Sequence, residues 1–160
     1  MVVLTTGGDG LMLNFDFLFN LRAEVGELIS LGPCPTGERR VVYISGGSFE
    51  GPSLRGTVLP GADWQILRSD SVLELDARYA IRDERGAVVQ VLSQGLRHGP
   101  ADVMAQLARG DSVDPARYFF RTIMRFETGD SNLAWLNRTI AVASAAREAR
   151  RVEIKAWKLL

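Results

Sequence analysis

Four charged residues sit inside otherwise apolar, alternating segments of this sequence: Asp76 and Arg78 in LELDARYAIR, and Arg121 and Glu127 in YFFRTIMRFET. A charge among apolar residues must be paired or hydrogen-bonded if it is buried, and buried ionisable groups cluster where a protein does chemistry. Successive side chains of an extended chain point to opposite faces. Asp76 and Arg78 therefore share one face, and Arg121 and Glu127 share another with Phe119, Ile123 and Arg125. If both pairs looked into one interior, a carboxylate of Glu127 or Asp76 could serve as a base, and Arg121 or Arg78 could hold an anionic group or a developing oxyanion. Burial would raise such a carboxylate's pKa and a neighbouring arginine would lower it. Glu127, Asp76 and Arg121 are accordingly the candidate catalytic residues. The same residue types also make structural cross-strand ion pairs or a solvated strand face, and the sequence leaves that alternative open.

Aromatic walls with a few polar groups are the usual make-up of small-molecule sites. Trp64, Arg78, Tyr79, Phe126, Trp135 and Asn137 are the candidate ligand-binding residues on that ground, with core packing as the alternative for the aromatic ones. Asp63, in GADW, either caps a turn or reaches the same pocket. His98, in GLRHGP, is the one histidine, the side-chain type most often used as a general acid or base, but its place just before Gly99 and Pro100 suits a hydrogen bond to a following helix better than catalysis. Cys34, between prolines in GPCPTG, reads as an exposed loop thiol with no basic neighbour closer than Arg39.

Composition removes whole classes of function. One cysteine and one histidine cannot build a soft-ligand metal cluster, so no metal site is expected, and no motif demands a cofactor. Nineteen basic residues against nineteen acidic ones leave no net charge to attract nucleic acid. GGSFEG is not a dinucleotide fingerprint and lacks the lysine of a phosphate loop. No run of about 18 apolar residues suggests a membrane span, and MVVLTTGGDG lacks a basic region and a cleavage site, so the expectation is a cytoplasmic chain.

The elements that must position these residues follow a period of two, not 3.6, so strands should dominate. Leu13 to Arg22 alternates most clearly, with Phe15, Phe17 and Phe19 on one face. Arg39 to Ser45, Leu54 to Leu59 and Trp64 to Arg68 follow as short strands, and their order suggests a meander. Between Gly46 and Trp64 stand five glycines and two prolines, as sheet curvature and turns require. Ser71 to Arg82 and Ala87 to Gln94 form a further pair around DERG. Pro100 to Ala108 carries helical spacing, with proline at a plausible first position and Gly110 beyond the end. Tyr118 to Thr128 and Leu133 to Ser144 read as a hairpin around GDSN, and Ala145 to Trp157 as a loop followed by a strand. About nine strands and one short helix make a mainly β chain, an antiparallel closed or nearly closed barrel of eight to nine strands, with a β-sandwich as the alternative. Residues 13–160 are expected to form one domain, with Met1 to Met12 as a loose extension.

Several separated segments appear in one order: RRVVYISGGSFEGPSLRGTVLPGADW, LDARYAIRDERGAVV, GLRHGP, YFFRTIMRFETG and WLNRT. Together they resemble the bacterial and fungal family called domain of unknown function 3237, over roughly Leu13 to Trp157. The resemblance implies a compact β-barrel with a short helix, and it carries no activity onto any residue. Met124 stands where the family's long aromatic strand has proline, and Leu133 where an aromatic is usual; either change would alter a pocket's shape.

Two classes of function are consistent with these features. One is an acid–base enzyme of isomerase, cyclase or hydratase type acting on a small organic, anionic or aromatic substrate. The other is a non-catalytic ligand-binding barrel, or a structural one whose aromatic strands bury a homodimer interface.

Overall fold

Alternation becomes nine strands in the structure, a computed structural model that describes residues 12–160. They are β1 (Phe15–Cys34), β2 (Gly37–Glu50), β3 (Arg55–Val58), β4 (Gly61–Leu67), β5 (Leu73–Asp83), β6 (Val88–His98), β7 (Phe119–Glu127), β8 (Ile140–Arg147) and β9 (Arg151–Leu159), with the helix α1 (Ala101–Ala108) between β6 and β7. The expected N-terminal extension lies outside the described residues, save Met12. Hydrogen-bonded neighbours run β1, β9, β8, β7, β6, β5, β4, β2, and β2 pairs back onto β1. Eight strands thus close an antiparallel ring, which leaves the ring no free edge.

The ninth strand explains the glycine-rich segment. β2 pairs with β3 through Ser48–Glu50 and with β4 through Glu38–Ile44. β5 likewise pairs with β4 through Leu73–Arg78 and with β3 through Ile81–Asp83. β3 and β4 are therefore successive stretches of one slot, running in the same direction and interrupted at Leu59 and Pro60, where proline has no N–H to give a ladder. The meander expected here is corrected to a broken strand. Gly47 sits in β2 at φ +135°, where a Cβ would lie 1.9 Å from the Arg22 carbonyl oxygen. Gly61 approaches β5 as closely, its Cβ position 2.3 Å from the Arg78 carbonyl oxygen. Only glycine lets backbones pass at these distances.

Three further differences have local causes. In β1 the pairing with β9 steps from Phe17↔Trp157 to Phe19↔Ala156, so Leu18 is an extra residue. Such a bulge swaps the faces beyond it: Leu18 and Phe19 are both buried, and Phe17 turns outward against Trp157 at 6.2 Å. The link from β7 to β8 is not a tight hairpin. Residues Ala134–Arg138 form a 3₁₀ turn, because the Asp130 carboxylate accepts the N–H groups of Asn132 and Leu133 and because Leu133 and Leu136 are drawn into the core. Finally, the expected loop after Ser144 is strand: β8 runs on to Arg147, and the Glu148 N–H donates to the Arg151 carbonyl in a short turn.

The barrel interior divides along its length. One half is filled: Phe19 meets Phe49 at 5.8 Å and Phe126 at 6.2 Å edge-on, among Ile81, Val89, Val91, Met124 and Leu136. At the other end lie the β1–β2, β4–β5 and β8–β9 turns and the α1 connection, with Val103, Leu107 and Val113 packed into the core. There the inward side chains are smaller or polar.

Candidate functional site

A cavity occupies this second half of the barrel. It is narrow, with a volume of about 70 Å³. Every strand of the closed ring contributes to the wall. Val25, Leu28, Val42, Leu75, Phe120 and Ile154 make it largely apolar, and Ala77 and Ala145 leave the space. Seven polar side chains interrupt it: Asp63, Gln65, Tyr79, Ser93, Arg97, Thr122 and Arg147.

Strand parity places them. On β5, Leu75, Ala77 and Tyr79 alternate inward with Ile81; on β6, Ser93 and Arg97 continue the inward row of Val89 and Val91. Thr122 lies between Phe120 and Met124 on β7, and Arg147 follows Ala141, Ala143 and Ala145 on β8. Asp63 owes its setting to a gap in a ladder. β4 and β5 pair at Asp63↔Ala77 and again at Ile66↔Glu74, skipping Trp64 and Gln65. The Asp76 N–H, turned toward β4, donates to Asp63 Oδ1 at 3.0 Å, and Gln65 Nε2 donates to Oδ2 at 2.8 Å.

The electrostatics of the cavity are unbalanced. Burial pushes the Asp63 carboxyl above its ordinary value, against the opposing pull of Gln65, the Asp76 N–H and the Arg97 guanidinium. Burial also pushes the Tyr79 phenol up, aided by the Asp63 charge. Arg97 is lowered to about 10 by burial and by repulsion from Arg147, which is itself lowered by burial. Both guanidiniums stay charged at neutral pH. Among the described residues neither has a carboxylate within salt-bridge distance; Arg97 instead lies over the Phe120 ring at 5.5 Å.

Four polar atoms of this wall are buried without a hydrogen-bond partner among the described residues: Gln65 Oε1, Tyr79 OH, Arg97 Nε and Thr122 Oγ1. Tyr79 and Gln65 are each 5% exposed and Thr122 8%. Leaving one such group unsatisfied costs about 1–3 kcal/mol, and native proteins hold few of them. Four such atoms converge on one cavity, where water or a bound molecule can supply the partners the chain does not.

The charged residues singled out from the sequence do not meet there. Asp76 and Arg78 face outward from β5 and pair with each other at 3.5 Å. Arg121 and Glu127 face outward from β7, with Arg121 over the Phe119 ring at 5.4 Å. Trp64, 42% exposed, is also on the outer surface. Of the expected ligand-binding residues Tyr79 lines the cavity. Phe126 points inward but into the filled half. Trp135 lies on the 3₁₀ turn under Lys158, and Asn137 clamps the Thr128 backbone, accepting from its N–H at 2.7 Å and donating to its carbonyl at 3.0 Å. On β7 both faces carry large apolar groups, and the charges belong to the face with Phe119 and Ile123, which is the outer one; on β5 Asp76 and Arg78 take the face opposite the buried Leu75 and Tyr79. Arg97, Arg147, Gln65, Ser93 and Thr122 escaped the sequence reading. The signal that finds them is a polar side chain on the same parity as a buried apolar row. His98 stacks on Phe119 at 4.8 Å on the outer face. No group of histidine, cysteine and carboxylates among the described residues could hold a metal ion, and no helix there is long and apolar enough to cross a membrane.

Comparison with known proteins agrees with this architecture. The model of a family described as a protein of unknown function, DUF3237, matches residues 13–159. A protein of the UPF0311 group from Rhodopseudomonas palustris is 44% identical over 149 residues, 92% of this chain and 97% of that one. The crystal structure of a protein described as β-barrel-like, from Acinetobacter baumannii, superposes with a TM-score of 0.83 at 37% identity, covering 95% of this chain and 99% of that chain. A protein from Penicillium herquei described as an enzyme shares the fold at a TM-score of 0.72 and 20% identity, over 97% of this chain and all of that one.

Proposed function

Because the chain belongs to the DUF3237 family, whose description carries no activity, we propose a function from the cavity itself: the protein binds a small organic molecule inside the barrel and performs acid–base chemistry on it, with Asp63 as the proton-transfer residue. The observation that carries this reading is the set of unpartnered polar atoms around a mostly apolar cavity that also holds a carboxylate. A ligand with polar groups at these positions would make the hydrogen bonds that the chain itself does not make. Asp63 is suited to move a proton because its raised pKa makes the ionised form a stronger base than a solvated aspartate. Tyr79 OH and the Arg97 guanidinium face the same space and can donate to an oxygen on which negative charge develops. Isomerisation and cyclisation each take one proton from the substrate and return one, hydration takes the proton from the incoming water and delivers one to the substrate, and none calls for a cofactor.

A neutral probe tests this without presupposing the natural substrate. Phenylacetone carries acidic benzylic protons, and their exchange for deuterium can be followed by NMR with the wild type, Asp63→Asn and Ala145→Phe, whose new ring would fill the cavity. The wild type should accelerate exchange over buffer. Asp63→Asn should lose about 100-fold or more, the usual worth of a positioned base, while still binding the probe; Ala145→Phe should lose binding and exchange together. Equal exchange by wild type and Asp63→Asn would overturn the role of Asp63. Binding without any exchange would leave a ligand-carrying barrel.

A further inference from the structure

The cavity wall carries more positive charge than its own residues neutralise. Arg97 and Arg147 contribute two positive charges and Asp63 one negative charge, so the ionisable groups that line the space sum to +1 when all three are ionised. The protein makes ion pairs freely elsewhere: Arg22, Arg40, Arg55, Arg68, Arg78, Arg85, Arg109, Arg117 and Arg151 all reach a carboxylate. Arg39, Arg82, Arg121, Arg125, Arg138 and Arg150 also reach no carboxylate among the described residues, but Arg97 and Arg147 are the two such arginines that line the cavity, each partly withdrawn from solvent, where an uncompensated charge is costly; Arg147 Nη2 donates to the Ala149 carbonyl at 3.4 Å. Nor does Asp63 satisfy them. Its oxygens are engaged by Gln65 and by the Asp76 N–H.

Resting on the reading that the cavity binds a small molecule, we propose that its ligand is a small organic carboxylate whose charged head is taken by Arg97 and Arg147 and whose apolar body lies against Leu75, Tyr79 and Phe120. Three features favour this class of anion. A net charge of +1 matches a monoanion, whereas a dianionic phosphate ester would leave negative charge in excess beside Asp63. A guanidinium presents a planar fork of N–H donors that fits a carboxylate with two parallel hydrogen bonds, and Arg97 Nε is one such donor left without a partner. The remaining wall is narrow and mostly apolar, with Gln65, Tyr79, Ser93 and Thr122 as its polar groups, which suits a single flat ring or a short body carrying an oxygen and not a sugar or a nucleotide. Both arginines come from the strand ends nearest the α1 connection, with Arg97 opposite Phe120 across β6 and β7 and Arg147 opposite Val152 across β8 and β9. The head group therefore lies at that end of the cavity and the body points toward Tyr79.

Phenylacetate and phenylacetamide separate the terms, because they share a body and differ in charge. Isothermal titration of both into wild type, Arg97→Met and Arg147→Met is the experiment, with phenyl phosphate as a third ligand and Ala145→Phe as the cavity-filled reference. Wild type should bind the acid ~10-fold or more tighter than the amide, on the scale of one hydrogen-bonded charge pair. Each methionine variant should lose most of that preference, because the acid loses more affinity than the amide does. Neither replacement removes an ion pair seen within the described chain, so thermal unfolding should show both variants folded. Equal binding of acid and amide by wild type would overturn the carboxylate assignment and leave the binding reading standing. Tighter binding of phenyl phosphate than of phenylacetate would overturn it in favour of a dianion. Undiminished binding by Ala145→Phe, or none of the ligands by wild type, would remove the cavity reading and this inference with it.

Discussion

Asp63 is a carboxyl whose burial makes its ionisation costly to the fold. Its carboxyl is raised by burial in the folded state, so the native protein holds that proton more tightly than the unfolded chain does. Stability from this group is therefore fully present below the unfolded pKa of about 4 and is lost as pH rises through the higher folded value. Asparagine does not titrate. Its amide oxygen can still accept from the Asp76 N–H, and its NH₂ can donate to Gln65 Oε1, which has no partner in the native protein, once the Gln65 amide turns over. Asp63→Asn should therefore melt close to wild type below pH 4 and gain on it as pH rises through the folded value, levelling off above it, as followed by circular dichroism at a series of pH values. A wild type that instead gains on the variant as pH rises would mean that the arginines hold the carboxyl below its ordinary value. The sequence pointed toward this residue through GADW but could not rank it, since turn chemistry and a buried carboxylate use the same letters. Arg97 and Arg147 were harder to see: a parity rule identifies them only after the inner face of β6 and β8 is known, and the end of β8 reads by propensity as helix or loop.

Strands were legible where alternation is strict and one face is apolar, as in β5, whose inward row of Leu73, Leu75, Tyr79 and Ile81 is plain in the sequence. They were less legible where the backbone departs from a uniform pleat. One extra residue at Leu18 reverses which phenylalanines of β1 face the core, and a period-two reading has no means of detecting it. The glycine-rich segment was read as curvature, and its glycines do allow β2, β3 and β4 to pass neighbouring backbones closely; its pairing partners, however, depend on contacts distant in sequence. Gly47 tests how far the closed ring depends on that approach. A methyl group there would collide with the Arg22 carbonyl, and its φ of +135° disfavours any side chain. Urea denaturation of Gly47→Ala should show a loss of about 3 kcal/mol or more, combining strain with displacement of β1. Gly129→Ala is the control, because no atom lies within 4 Å of its added Cβ, and it should stay within about 0.5 kcal/mol of wild type. A near-neutral Gly47→Ala would mean that β1 and β2 can separate there without loss.

Closure of eight strands gives the molecule a tightly packed half and a half that holds the cavity within one wall. Phe19, Ile81, Met124 and Leu136 are each fully buried in the packed half, while the half with the cavity leaves four polar atoms unsatisfied. The barrel was foreseeable because a chain of many short antiparallel strands must dispose of its edges; the cavity was not, since nothing in the composition says which half the small residues will share. A ligand that binds only the closed barrel must stabilise all of it, because the strands that line the cavity also form the packed half. At a concentration 100 times its dissociation constant it adds about 2.7 kcal/mol. For a chain of this length that is a rise in melting temperature of roughly 5–10 °C, readable by differential scanning fluorimetry over a panel of aromatic and aliphatic carboxylates with their amides. The shift should follow the acids, grow with concentration without saturating at the dissociation constant, and vanish in Ala145→Phe. A shift of equal size in that variant would locate the ligand outside the cavity, and a shift that favoured the amides would show that the unpartnered hydroxyl and amide groups, not the two arginines, dominate recognition.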